Sequence, residues 1–176
     1  GTGSVAVEIA GLSETVHVYA VERKPEAVEL LRKNREHFHM DNMEIIEALA
    51  PEGLEELPVP THAFIGGSGG RLMDILQTLY RKNPHMRIVI NAISMETIAE
   101  LQEVSEAFPV EDEEILQMQV NRVKKLGSYH LPQAENPVWI CSFTFREGET
   151  GSMNKVKKAL LTEEENGNRK NGEVQR

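Results

Sequence analysis

The sequence is poor in cysteine and in positive charge, and it has no long apolar run. Cys141 is its only cysteine, so no disulfide can form within the chain and a reducing, cytoplasmic setting is expected. Because no apolar run reaches the length of a membrane span, no membrane partner is expected. Lys and Arg number 19 against 28 Asp and Glu, and the net charge of −9 argues against nucleic acid as a partner, which needs a basic face. The 176 residues, 40 % of them hydrophobic, are enough for one buried core.

Helical and strand periodicities alternate along the chain, which predicts an α/β fold with a mostly parallel sheet. Helices are expected at residues 4–10, from Pro25, from Leu72 and at 95–108, and strands at 16–22, 43–46, 63–65 and 86–93. In the second helix the spacing of Val28, Leu31 and Phe38 predicts one buried stripe. Residues 115–123 and 138–145 have the pattern of strands without a helix between them, so they are expected to pair antiparallel.

The pattern predicts one domain followed by a tail. Residues 1–146 form the domain, and Cys141 lies in its last apolar run, VWICSFTF, where a buried thiol is expected. Residues 147–176 are filled with Glu, Lys, Asn and Gly. They are expected to form a short frayed helix and a disordered tail.

A glycine turn, a helix and a strand follow one another in residues 1–22, GTGSVAVEIAGLSETVHVYAVE. The strand ends on Glu22, nineteen positions after Gly3. This is half of a nucleotide-binding βαβ unit, in which glycines let the backbone approach the ligand and an acid accepts hydrogen bonds from the ribose hydroxyls. The strand that should precede the glycines is absent and the chain does not begin with Met. We therefore expect a piece of a longer protein, cut inside its first motif.

A second glycine cluster, FIGGSGG, follows the strand expected at residues 63–65. Four glycines in five residues exceed what a turn requires. Ligands of open α/β sheets bind beyond the carboxyl ends of strands, so two glycine turns there predict a groove for a nucleoside on one side and a substrate on the other. The alternative is that these glycines only permit positive φ and tight packing.

A parallel α/β sheet that ends in an antiparallel hairpin resembles the class I S-adenosylmethionine-dependent methyltransferases, whose fold is Rossmann-like. Gly1, Gly3 and Ala6 also satisfy the loose GxGxxG/A pattern, so an NAD-dependent oxidoreductase stays open. An RNA-directed class I methyltransferase is a second alternative, which the acidic balance disfavours. A binding module without catalysis, with purely structural glycine turns, is the third.

Six runs make the resemblance specific to one family. They are similar to the decarboxylating precorrin methyltransferases of cobalamin biosynthesis, which act on carbon-15 of a corrin precursor. This resemblance implies S-adenosylmethionine as methyl donor, loss of carbon dioxide from the ring C acetate, and a homotetramer. It also implies that the parent protein could carry an N-terminal module that methylates carbon-5. The runs are GTGSVAVEIA, YAVERKPEAVELLRKN, APEGLEELP, FIGGSGGRL, VINAISMET and QVNRVKKLGSYHLPQAENPVWI.

The resemblance also implies which residues contact the cofactor. Leu49 stands where methyltransferases often carry an Asp for the adenine, so that contact would come from the backbone around Leu49 and Ala50. Glu22 is expected to bind the ribose. The remaining cofactor residues are in the glycine turns: Gly1, Thr2 and Gly3 in the first, and Gly66 and Gly67 at the methionine end.

A precorrin is a large, mostly apolar macrocycle with several carboxylates, so its site should combine a wide cleft with a few cations. Five residues are predicted to bind it: Arg71, Asn91, Arg122, Lys124 and Lys125. Tyr129 and His130 are hypothetical general acids for the decarboxylation. The alternative is that the cations are solvated and that both rings pack in a hairpin. The histidines show no metal-ligand spacing, and no metal is assigned.

Overall fold

The computed structural model describes residues 3–148 and residue 150 of the chain. These residues form four α-helices and eight strands in an α/β order. The helices are α1 (Ser4–Ala10), α2 (Pro25–His37), α3 (Leu72–Lys82) and α4 (Met95–Ala107). The strands are β1 (Val18–Glu22), β2 (Met43–Glu47), β3 (His62–Ile65), β4 (Arg87–Ala92), β5 (Val110–Met118), β6 (Asn121–Leu126), β7 (Tyr129–Ala134) and β8 (Val138–Phe145). A short 3-10 helix, Glu52–Leu54, lies between β2 and β3.

The strands form three sheets in the described part of the chain. β1 and β2 pair in parallel, and a four-stranded sheet has the order β3-β4-β8-β5. In that sheet β3 and β4 are parallel, whereas β8 is antiparallel to both β4 and β5. β6 and β7 form a separate antiparallel hairpin. The sequence predicted one sheet; among the described residues β1 and β3 are not hydrogen-bonded to each other, so the parallel strands divide into two pairs.

Two hydrophobic clusters match the four-stranded sheet and the β1–β2 sheet. The main cluster packs α3 and α4 against the four-stranded sheet and includes Cys141 and Phe143, both fully buried. Burial also raises the pKa of the Cys141 thiol to about 11. The smaller cluster packs α1 and α2 against β1 and β2 through Val7, Leu31 and Met43. The predicted burial of the cysteine is confirmed.

Local chemistry explains where the helices begin and how they are fixed. Pro25 occupies the first turn of α2, where its missing N–H costs nothing. Ser94 caps α4 by accepting a hydrogen bond from the Thr97 amide at 3.2 Å. The side-chain nitrogen of Asn42, Nδ2, donates to three backbone carbonyls, those of Ala10 at 2.9 Å, Ser13 at 3.2 Å and Val16 at 2.8 Å. These bonds fix the end of α1 to the start of β1.

Three of the predictions about local structure were wrong, including the place of Phe38 in the buried stripe of α2. The strand expected at 115–123 is broken, because β5 ends at Met118 and β6 begins at Asn121. β7 was not predicted at all, since Pro132 and its polar neighbours hide the pattern of a strand; the two strands meet at a tight turn in which Gly127 has a φ of 62°. The antiparallel pairing of residues 138–145 is confirmed through β5. Phe38 is 51 % exposed, because α2 ends at His37 and leaves Phe38 as its cap.

No helix in the described residues is long and apolar enough to span a membrane. The predicted tail lies outside those residues, apart from positions 147, 148 and 150.

Candidate functional site

Among the residues that the structure describes, the predicted cofactor residues lie at one edge, where the parallel strands end. We call this the carboxyl edge and define it by the ends of β1 to β4: Glu22, Glu47, Ile65 and Ala92. The β1–β2 sheet and the four-stranded sheet approach each other there, because Arg23 Nη2 after β1 lies 3.9 Å from the position that a Cβ would take at Gly69 after β3. This edge is where ligands of open α/β sheets bind.

Gly3 is required by its surroundings. It caps α1 with a φ of 77°, and a Cβ built there would lie 2.1 Å from Leu31 Cδ2 on α2. Only glycine allows both the left-handed backbone and the close approach of the two helices. Gly1 and Thr2, predicted with Gly3 as the cofactor loop, lie outside the described residues.

Glu22 is held at the end of β1 by the chain that follows it. Its Oε1 accepts hydrogen bonds from the backbone amides of Arg23 and Lys24, both at 2.9 Å. Partial burial acts to raise the pKa of the Glu22 carboxyl, whereas the hydrogen bonds from these amides act to lower it, and the pKa lies below its ordinary value. The side chain is therefore an oriented carboxylate at the carboxyl edge.

Leu49 and Ala50 lie in the loop that follows β2. Leu49 is 39 % exposed, and its carbonyl accepts a hydrogen bond from the Gly53 amide at 3.0 Å. Ala50 packs against the main hydrophobic cluster. The Leu49 carbonyl is thus used within the loop, and the predicted contact with the adenine amino group needs another backbone acceptor of this stretch.

The second glycine cluster contains two kinds of glycine. Gly69 and Gly70 have φ values of 62° and 79°, so they satisfy the conformational alternative. Gly67 has no positive φ, and a Cβ there would meet nothing within 4 Å. A Cβ at Gly66 would lie 3.2 Å from the ring of Phe64. Neither packing nor backbone conformation requires glycine at Gly67, which faces open space at the carboxyl edge.

Two predicted substrate residues, Arg71 and Asn91, also lie near this edge. The Arg71 guanidinium makes a bidentate ion pair with Glu52, with Nη1–Oε2 at 2.8 Å and Nη2–Oε1 at 2.7 Å. Hydrogen bonding to Arg71 lowers the pKa of the Glu52 carboxyl. Asn91 is half-buried on β4, one position beyond the level at which β3 and β4 last pair.

The other predicted substrate and catalytic residues lie on the hairpin formed by β6 and β7. Every residue of both strands is exposed. Register places Lys125 opposite His130 on one face, and Lys124 on the other face with Leu126 and Tyr129. Arg122 pairs with Glu135. Tyr129 and His130 therefore point to opposite sides of the hairpin and cannot both line one site.

Three residues of the carboxyl edge were not found from the sequence. Arg23 reaches the second glycine cluster, as described above. Ile93 and Met95 flank the α4 cap and are 69 % and 74 % exposed, which gives the edge an apolar surface beside Asn91. Their position between a strand and a helix cap was readable, but their exposure depends on tertiary structure.

Comparison with known proteins shows the family. A family model described as a precorrin methyltransferase domain matches residues 1–144. The chain belongs to the precorrin methyltransferase family. Similar relatives include the "Probable cobalt-precorrin-6B C(15)-methyltransferase (decarboxylating)" of Sulfolobus acidocaldarius, 41 % identical over 145 residues, which are 80 % of this chain and 73 % of the relative. The "Cobalt-precorrin-6B C(15)-methyltransferase (decarboxylating)" of Salmonella typhimurium is 30 % identical over 145 residues, 80 % of this chain and 72 % of the relative.

Among solved structures, the precorrin-6y C5,15-methyltransferase of Geobacter metallireducens matches with a TM-score of 0.71 and 34 % identity. The match covers 82 % of this chain and 76 % of that one. The predicted class I methyltransferase fold and the predicted family of precorrin methyltransferases are confirmed.

Proposed function

We propose that this chain methylates carbon-15 of a precorrin or cobalt-precorrin with S-adenosylmethionine and removes carbon dioxide from the ring C acetate. Family membership supports the reaction, and the carboxyl edge supports the location proposed for the active site. The observation that carries the proposal is an oriented carboxylate, Glu22, after β1 and an open glycine, Gly67, after β3, in two loops that approach each other at Arg23 and Gly69. An RNA substrate is disfavoured by the acidic balance of the chain.

The carboxyl edge fits a nucleoside cofactor. Gly3 keeps the start of α1 close to α2, Glu22 presents a fixed acceptor for ribose hydroxyls, and the loop at Leu49 and Ala50 offers backbone groups for the adenine. The space at Gly67 would accommodate the methionine end together with Gly66. When bound, S-adenosylmethionine supplies a methyl group already activated by its sulfonium, so the protein need not provide a nucleophile.

The substrate side combines apolar and polar groups. Ile93 and Met95 present an apolar surface of the kind that a macrocycle covers, and Asn91 offers an amide beside them. Arg71, Lys124 and Lys125 remain the predicted partners of the substrate carboxylates, although Arg71 is already paired with Glu52. These residues would hold the reacting carbon in line and exclude water.

The hairpin supports a homo-oligomer, with the tetramer expected from the family. Trp139 pairs with both Ala92 on β4 and Gln117 on β5, so the hairpin leaves the four-stranded sheet at its carboxyl edge. Leu126 and Tyr129 are 67 % and 71 % exposed on one face. We propose that a second copy covers this face. Tyr129 and His130 lie on opposite faces of the hairpin. The one whose face meets the bound substrate would act as the general acid.

The full-length protein, S-adenosylmethionine and cobalt-precorrin-6B test the proposal. Mass spectrometry of the product should show that it has gained one methyl group and lost carbon dioxide. Equilibrium binding should detect S-adenosylhomocysteine and not NAD. Binding of NAD without S-adenosylhomocysteine would replace the methyltransferase by the oxidoreductase alternative.

A further inference from the structure

The basic side chains of α3 hold the loop that follows β2. Arg71 at the start of the helix makes the bidentate pair with Glu52. At the far end, Arg81 Nη2 lies 3.1 Å from Glu55 Oε1, and Lys82 Nζ donates to the carbonyls of Glu55 at 2.8 Å and Leu57 at 2.7 Å. The helix is thus fixed to this loop at both ends, but only the Arg71 end lies beside the proposed cofactor residues.

The Glu52 end of the pair is connected to the ribose acid. Gly53, the next residue, packs so closely on β1 and β2 that a Cβ there would lie 2.5 Å from Ala48 Cβ and 3.3 Å from Val21 Cγ1. Val21 directly precedes Glu22, and the Ala48 amide donates to the Glu22 carbonyl at 3.1 Å. A displacement of Glu52 is therefore transmitted to the end of β1.

The Arg71 end is connected to the second glycine cluster. Arg71 follows Gly70 directly, and its amide donates to the Ser68 carbonyl at 3.2 Å. A Cβ at Gly67 or Gly70 would meet nothing within 4 Å, so these two residues add no packing that fixes the loop. Arg71, at the end of this loop, makes a side-chain contact with Glu52 in the loop that follows β2, and the Arg71 side chain is only 32 % exposed.

We propose that Arg71 and Glu52 form a positioning pair, which fixes the distance between the two loops that hold opposite ends of the cofactor. This inference rests on the proposed function. Neither residue needs to touch the cofactor, since the pair acts through Gly53 on one side and the glycine cluster on the other. Without the pair, binding has to order two loops that are no longer connected, and affinity falls.

Binding of S-adenosylhomocysteine to the full-length protein, with no tetrapyrrole present, tests the pair. Arg71→Gln and Glu52→Gln are each expected to raise the Kd about fivefold, in line with a partly shielded bidentate ion pair. Because both remove the same interaction, the double variant should also lie near fivefold rather than multiply the two effects. Arg71→Lys, which keeps the charge but not the fork, should recover part of the affinity.

Arg81→Gln is the matched control, because it breaks an ion pair of the same helix with the same loop. It should lower the melting temperature about as much as Arg71→Gln and leave the Kd within twofold of the wild type. A Kd unchanged in Arg71→Gln and Glu52→Gln, or effects that multiply in the double variant, would overturn the positioning pair alone. Absence of binding by the wild type would overturn the proposed function and this inference with it.

Discussion

The carboxyl edge and the β6–β7 hairpin both carry predicted site residues, but the two regions differ in how these residues are held in place. At the edge three of the predicted residues are held by contacts within the chain: Gly3 by α2, Glu22 by the amides that follow it, and Arg71 by the loop after β2. On the hairpin the two strands pair with each other and all their residues are exposed. A site on the edge is therefore organised within one chain, whereas a site on the hairpin needs a second surface.

The most severe way to break the edge is Gly3→Ala. The new Cβ would meet Leu31 Cδ2 at 2.1 Å in a left-handed backbone, and we expect a loss of ~3 kcal/mol in the free energy of unfolding, measured by urea denaturation. Gly67→Ala is the matched control. It has no clash and no positive φ, so stability should be kept while affinity for S-adenosylhomocysteine falls. Equal stability of both variants would contradict the contrast.

The hairpin faces can be separated by Tyr129→Phe and His130→Ala. Because the two side chains point in opposite directions, we expect only one variant to slow carbon dioxide release, by ~100-fold if that residue is the general acid. Release of labelled carbon dioxide measures this, and methyl transfer is followed in the same reaction. A similar loss of carbon dioxide release in both variants would show that the hairpin changes conformation when it binds the substrate.

Leu126→Glu places a charge on the apolar face of the hairpin. If a second copy covers this face, the change should weaken each interface by about 2 kcal/mol and shift the assembly toward smaller species in light scattering. Leu12→Glu is the control, because Leu12 is also exposed, at 77 %, but lies after α1. An unchanged mass for Leu126→Glu would remove the hairpin from the interface.

Glu22→Gln is the mildest test of the edge. The amide oxygen can still accept from Arg23 and Lys24, so the fold should be kept while the Kd for S-adenosylhomocysteine rises about tenfold. The lowered pKa of Glu22 adds a pH dependence. Its ionised form is favoured in the native state, so wild-type affinity should hold through the ordinary Glu range and fall only as the pH drops through the lowered value. The variant should lack this fall.

Sequence reasoning succeeded where local rules apply. The helix at Ser4–Ala10 and the strand ending at Glu22 follow from the spacing of glycines, apolar residues and one acid, because backbone geometry restricts where those residues fit. The role of the second glycine cluster was only half readable. Spacing cannot tell Gly67, which faces open space, from Gly69 and Gly70, which need positive φ.

Other features depend on contacts that no local pattern contains. Arg71 was predicted to meet substrate carboxylates, whereas the structure pairs it with Glu52, 19 positions away in the chain. The exposure of Ile93 and Met95 likewise depends on what packs around α4. β7 was missed because an exposed strand without apolar alternation leaves no signature, and its existence depends on the turn at Gly127.

The three hydrogen bonds of Asn42 provide a point about which α1 could tilt. They hold the C-terminal end of α1, which lies about 10 Å from Gly3 at 1.5 Å per residue along the helix. A small tilt at that point would swing Gly3 and the start of the helix toward or away from the cofactor. Substitutions at position 42 would thus adjust the proposed nucleotide site from the amino end of β2, without altering a single residue that faces it.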